Sequence, residues 1–402
     1  MRVGKATVRA VNGLTARWAA ASEGGTVFSA AGVWPLLAFL ADGAHGRART
    51  ELADALGVPA EEAAGTAREL LGAMAGMRGL DTALGLWTRR TLELREAWTA
   101  GLPAGTHGVL TGDPAADRAA LDAWAVRHTG GLVDRMPVEI RENTELVLAG
   151  ALAMRTRWLA PFDEVPLETA YEPWAGPVER LGLRRSSVLL DRIGVAGTPD
   201  GVVTELKVLG DNALDVHLLL GEERMTPGQV LGAGLGVLDG THRVVPGGLL
   251  PYGAPGPGLS VERVRCERPQ PPRLDVTTVA YDLAAGHDLL ALHRLFGLTT
   301  ARDVRQGHFP GISAFPLAVG SAEQATMARF GSLGFEAAAV TAFGAVAAGP
   351  RPERRHVTTR IGAAFDRPFG FLALHRHSRL VLAAGWVTDP PPFPEYPWEH
   401  DE

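Results

Sequence analysis

Thr144–Asp163, TELVLAGALAMRTRWLAPFD, holds the longest apolar run of the chain, Leu146–Met154, bounded by Glu145 and Arg155. That run is far too short to cross a bilayer as a helix, which needs about 20 apolar residues. Its continuation to Trp158 ends in alternation, the pattern of a strand buried on both faces. Around it the pattern is mixed. Thr26–Phe28 reads as a short β entry, and Val33–Ala41 and Thr50–Leu56 have helical apolar spacing, parted by the turn GAHG. Glu61–Met77 continues as an Ala-rich amphipathic helix, Thr82–Thr91 is strand-like, and Asp117–Arg127 is helical up to Thr129-Gly130-Gly131. Beyond the central run, Gly201–Leu220 and Gly258–Ala285 alternate in the manner of antiparallel strands. Asp288–Phe296 is expected to be a short helix and Phe371–Val387 a pair of strands. Early helices, late strands and the lack of a repeat or long polar linker predict an α+β fold, built as one domain over 1–402.

Composition narrows the function. Of 402 residues, 46% are apolar and 21% charged, the balance of a folded, soluble chain. The net charge is −6 with both signs interspersed, and no basic stripe argues for nucleic acid. A single cysteine, Cys266, excludes an internal disulfide and a cysteine metal cluster. MRVGKATVRAVNGLTARW lacks the apolar core of a secretion leader. The chain is therefore expected to be cytoplasmic, with an extracellular location open if it is a mature form. No GxSxG elbow, HExxH or phosphate-binding loop marks an enzyme. GAGLGVLDG (232–240) reads as a turn, and His375-Arg376-His377 as the surface of a hairpin.

A second stretch bears on function: Gly334–Gly349, GFEAAAVTAFGAVAAG. Its alanines suggest helix. Gly344, the β-branched Val340, Thr341 and Val346, and the Gly349-Pro350 break argue instead for an extended loop of small side chains.

Five segments, in order, resemble the serpin superfamily. They are Thr26–Val58 with its Phe28-Ser29 start and GAHG turn, LDAWAVRHTGGLVDRM (121–136), Thr144–Asp163 ending in Trp158, LFGLTTARDVRQGHFPGIS (295–313), and GFEAAAVT followed by FDRPFGFLAL. The resemblance implies three β-sheets with surrounding helices and an exposed reactive loop at about 335–360. It implies a monomeric, metastable inhibitor that traps a serine protease when its loop is cut and inserted into the main sheet. No cofactor, metal or membrane is implied. Carried onto this chain, the hinge is Gly334, Phe335, Glu336, Ala337, Ala338, Ala339, Val340 and Thr341, and the reactive bond is Ala348–Gly349.

A small residue before that bond suits an elastase-like or subtilisin-like protease, with a trypsin-like target open through Arg351, Arg354 or Arg355. The sheet-opening region is Trp158, Ser29 and Gln324. There, Gly32, Gly150 and Gln324 stand where the family usually has Ser, Asn and His. Phe335 stands where inhibitory members prefer Thr or Ser. Overpacking that inward site would cost about 1–3 kcal/mol on insertion, unless small neighbours such as Gly331 make room. A non-inhibitory binding protein of the same fold, its loop merely a protease substrate, is the alternative.

Overall fold

All nine residues of the run Leu146–Met154 are buried, in a strand that the rest of the main sheet is built around. The computed structural model describes residues 3–142, 144–303, 305–335 and 356–394. In chain order its helices are α1 (Lys5–Ala21), α2 (Ala30–Gly43), α3 (Gly46–Leu56), α4 (Ala60–Ala75), α5 (Glu96–Gly101), α6 (Pro114–Thr129) and α7 (Pro227–Asp239). The first ten strands are β1 (Thr26–Phe28), β2 (Leu80–Arg89), β3 (His107–Leu110), β4 (Leu146–Met154), β5 (Thr156–Arg157), β6 (Asp163–Leu167), β7 (Arg180–Ser187), β8 (Ile193–Thr198), β9 (Gly201–Val208) and β10 (Leu214–Gly221). The rest are β11 (Val244–Pro246), β12 (Leu259–Cys266), β13 (Arg273–Val279), β14 (Tyr281–Asp288), β15 (Ser321–Phe330), β16 (Gly334–Phe335), β17 (His356–Ala364), β18 (Phe369–His375) and β19 (Val381–Val387).

These strands form three sheets, ordered β1-β19-β18-β10-β9-β8-β11, β12-β17-β13-β7-β6 and β3-β2-β4-β15, the last with β14 on the far side of β15 and β16-β5 at one end. The fold is α+β, with three sheets and seven helices among the described residues. In the main sheet β4 is antiparallel to β2 but parallel to β15, and six Cα pairs from Ser321↔Val147 to Thr326↔Leu152 join them. The inner face of β4 (Leu146, Leu148, Leu152, Met154) faces the central core with α2. The outer face (Val147, Ala149, Ala151) lies under Leu121, Trp124 and Ala125 of α6 and the segment Val133–Ile140.

Local chemistry places α6 across that outer face. Asp113 caps its first turn by accepting from the Ala115 and Ala116 N–H groups, and Gly130 ends it in the left-handed conformation at φ +62°. Two expectations differ. GAGLGVLDG lies within α7, not in a turn, because Gly234 and Gly236 let the helix approach its neighbours closely. A Cβ there would meet Leu219 at 2.2 Å and His242 at 2.3 Å. Within Asp288–Phe296, Asp288 ends β14 and residues 289–296 form successive turns, not a helix; the Asp288 side chain accepts from Leu290 and Ala291 N–H.

Candidate functional site at the open end of the main sheet

β4 and β15 separate beyond Leu152 and Thr326, and a short piece of chain stands in the opening. Gly334 pairs with Arg157, and Phe335 pairs with Thr156 on one side and Phe330 on the other, both antiparallel. Gly334 is required there, since a Cβ would lie 2.2 Å from the Thr156 carbonyl oxygen. The turn before it is held by the strand that follows β4. Trp158 donates its indole N–H to Gly331 O at 2.9 Å and its backbone N–H to Leu333 O at 2.9 Å. Phe162 N–H donates to Ser332 O at 2.9 Å, and the Ser332 hydroxyl donates to Glu164 at 2.8 Å. The Trp158 and Tyr281 rings lie 4.9 and 5.2 Å from Phe330.

Phe335 is 2% exposed, and its ring lies 6.5 Å from that of Phe371 in the core. The overpacking cost expected for this ring on insertion therefore does not arise at that step, because the ring is already seated. Glu336, Ala337, Ala338, Ala339, Val340, Thr341, Ala348 and Gly349 lie outside the described residues.

Lower down, the β4–β15 seam is tied to α2 through Gln324, which is fully buried. Its Oε1 accepts from Ser29 N–H at 2.8 Å and its Nε2 donates to Ser29 O at 2.6 Å. Ser29 in turn caps α2, its hydroxyl oxygen accepting from Gly32 N–H at 3.0 Å while its O–H donates to Leu382 O. Gly32 and Gly150 provide space rather than bonds. A Cβ on Gly32 would lie 3.2 Å from Gln324 Nε2, and one on Gly150 would lie 3.0 Å from Gly32 O. One amide thus makes a two-way clamp in a place cleared by two glycines.

The outer face of the seam carries Glu323, 7% exposed, opposite Ala149 on β4 and Asp288 on β14. Burial, with Asp288 and Glu139 adding negative charge, pushes its carboxyl up to about 8, against a smaller opposing hydrogen bond from Ser321. The backbone carbonyls of Gly331, Ser332 and Leu333, on which Trp158 and Phe162 dock, carry no sequence signal. Glu323 was recognisable only as a lone carboxylate in an otherwise uncharged stretch. Among the described residues no group of three or more His, Cys, Asp or Glu is placed to hold a metal.

The family pattern "Serpin (serine protease inhibitor)" matches residues 9–171. The rice (Oryza sativa subsp. japonica) protein serpin-Z6C is 26% identical over 395 residues, 92% of each chain, and rice Serpin-Z2A is 32% identical over 152 residues, covering 34% of this chain and 35% of its own. Among solved structures, thyroxine-binding globulin in complex with thyroxine superimposes with a TM-score of 0.72 at 16% identity, over 96% of this chain and 99% of its own. The thermophilic serpin tengpin in its native state gives 0.71 at 14% identity, over 95% and 93%. Over residues 9–171 the chain carries the serpin family pattern, and its fold is that of the serpin structures, a family in general of protease inhibitors.

Proposed function

We propose that the protein inhibits a serine-type endopeptidase as a suicide substrate, by cleavage of the segment after Phe335 and its insertion between β4 and β15. One observation carries this reading: the sheet is in register for a strand it does not yet contain. Continuing the antiparallel register of Phe335 with Thr156 and Phe330 puts residue 344 opposite both Val147 and Ser321. Those two are already Cα partners across the closed seam. An incoming strand therefore meets matched backbone groups on both sides once the seam parts.

Side-chain chemistry agrees. In a strand, residues two apart share a face, so Ala337, Ala339 and Thr341 would follow Phe335 inward. Thr341 would arrive opposite Gly150 and Gln324, where space is smallest, and each of these residues loses little rotamer freedom on burial. The protease serine would attack the Ala348 carbonyl carbon, and the Gly349 amine would leave, giving an ester-linked acyl-enzyme. Insertion must then outrun attack of water on that ester. Six parallel Cα pairs and the Gln324–Ser29 clamp resist opening, and an inserted strand replaces one interstrand ladder with two.

Incubation with elastase, subtilisin and trypsin, read on denaturing gels and by thermal melting, tests the proposal. An SDS-resistant complex and a large gain in heat stability on cleavage are expected with at least one protease. Clean cleavage with neither outcome refutes the inhibitor reading and leaves a binding protein whose loop is only a substrate.

A further inference from the structure

One acid of the main sheet is buried under a cover that is tied elsewhere. Across the outer face, the registers set Gly85 of β2, Ala149 of β4, Glu323 of β15 and Asp288 of β14 in one row. Ala83, Ala151, Ala325 and Gly286 form the next. Val133, Met136, Val138 and Ile140 cover these rows, in one apolar cluster with Ala149, Ala151 and Ala325. Pro137 sits over Gly286, 3.0 Å from where a Cβ would stand. The cover is fastened to α6: Met136 N–H donates to Asp122 at 2.8 Å, and Arg118 donates to Val138 O at 2.6 Å. Among the described residues no hydrogen bond joins residues 133–140 to β4, β14 or β15, so apolar contact alone seats the cover on the sheet.

Two acids lie in the first row. Asp288 is exposed, and its carboxylate accepts from Leu290 and Ala291 N–H. Glu323 is covered, and its surroundings offer no counter-ion. β4 contributes only apolar residues. On β14, His287 turns to the opposite face, where its Nε2 meets Val27 O at 2.9 Å. On the cover, Asp134, Arg135 and Glu139 are exposed, and Glu139 pairs with Arg141 at 3.0 Å. The charges that bear on Glu323 are those of Asp288 and Glu139, both negative, against one hydrogen bond from Ser321. A carboxylate there is desolvated and repelled, and the neutral acid is not.

We propose that Glu323 is a proton-operated latch on the main sheet: protonated, it is tolerated under the cover, and on ionising it draws water beneath residues 133–140 and lets β4 part from β15. This goes beyond the inhibitor reading, and the parting of the seam is measured without a protease. Proton linkage fixes the direction. Covered, the carboxyl titrates at about 8, against an ordinary value of 4.5 once it meets water. Below pH 4.5 it is protonated in both forms and favours neither. From there to pH 8 only the open form gives up the proton, so the closed form loses up to about tenfold of its advantage per pH unit. Above pH 8 both forms are ionised and the loss is complete. Between pH 6 and 8.5 the full effect is about 70-fold. Acid thus holds the seam shut, and mild alkali releases it.

A thiol placed beneath the cover tests this. The native thiol is removed by Cys266→Ser, and Ala325→Cys puts one in the row beside Glu323. Its labelling by a small thiol reagent is compared at each pH with that of the same protein unfolded in urea, which cancels the thiol's own ionisation. Protection is expected to fall at least tenfold from pH 6 to 8.5, and not to vary over that range once Glu323→Gln is added. Ala373→Cys, fully buried in β18, reports unfolding of the whole chain. At pH 8.5 it is expected to be at least tenfold better protected than Ala325→Cys. A smaller fall in protection with pH, or the same fall with Glu323→Gln, overturns the latch. So does equal protection of Ala325→Cys and Ala373→Cys, since the seam would then open only when the whole chain unfolds. Should Ala325→Cys not fold, Ala151→Cys, on the β4 side of the same apolar cluster, takes its place with the same expected outcomes.

Discussion

Replacing Gln324 with Met removes the clamp while keeping the side chain nearly the same size. Two bonds are lost, and they are not equivalent. Ser29 O also accepts from Gly32 N–H at 3.2 Å, so it keeps a partner and loses only the net value of one bond, about 0.5–1.5 kcal/mol. The amide of Ser29 has Gln324 Oε1 as its acceptor at 2.8 Å. Left buried without it, that N–H costs about 1–3 kcal/mol. The sum is a loss of roughly 2–4 kcal/mol from the uncut protein, read as the change in unfolding free energy in urea at pH 7 with the slope unchanged. Because Gln324 lies in the seam opposite Gly150, the same variant should also gain its post-cleavage heat stability faster. A loss below about 0.5 kcal/mol would show that water or a local shift satisfies Ser29, and that the clamp is not what ties β15 to α2.

Three further outcomes are expected. Phe335→Ala should cost about 3–5 kcal/mol in the same measurement, since the ring is already core; a cost under 1 kcal/mol would mean the ring is not seated before cleavage. Gly150→Val should cost about 1–3 kcal/mol, because its first added atom already lies 3.0 Å from Gly32 O, and a neutral result would remove the steric account of that glycine. Glu323→Gln should show a pH-dependent gain. A carboxyl held at about 8 when folded and 4.5 otherwise keeps its proton in the native state while the unfolded chain ionises, so wild type loses stability as pH rises from about 4.5 to 8. The variant should match wild type near pH 4.5 and exceed it by roughly 3–5 kcal/mol above pH 8; a difference that does not vary with pH refutes the buried-acid reading.

Much of this was legible in the chain, for identifiable reasons. Leu146–Met154 announced a doubly buried strand because both of its faces are apolar, and both are covered, by α2 and by α6. Gly43 and Gly46 marked the break between α2 and α3, and Trp158 stood out as a lone aromatic after an alternating run. Gln324 was recognisable as an amide able to donate and accept, and it does both. Other features were hidden by long-range packing. The glycines of α7 lower helix propensity, and only the distant Leu219 and His242 explain them. Lys5–Ala21 showed no leader, yet its helix is fixed by burying Val11, Leu14 and Trp18 against partners far along the chain. VERVRC alternates visibly as a strand, but nothing local says that its partner lies about a hundred residues on, in β17.

That this sheet ends at β12 and not at β17 also bears on solubility. Uncovered, the segment His356-Val-Thr-Thr-Arg-Ile would offer free backbone groups on a β-branched strand, an invitation to cross-molecule strand addition. The boundary is instead β12, which carries Glu262, Arg263 and Arg265, and charge on an outermost strand discourages such pairing. Three boundaries of the other sheet and of this one are blunted too: β11 and β6 contain Pro246 and Pro166, and β1 is three residues long. The cover that β12 gives β17 thus bears on colloidal stability independently of any protease, and a chain lacking β12 is expected to self-associate at lower concentrations than this one.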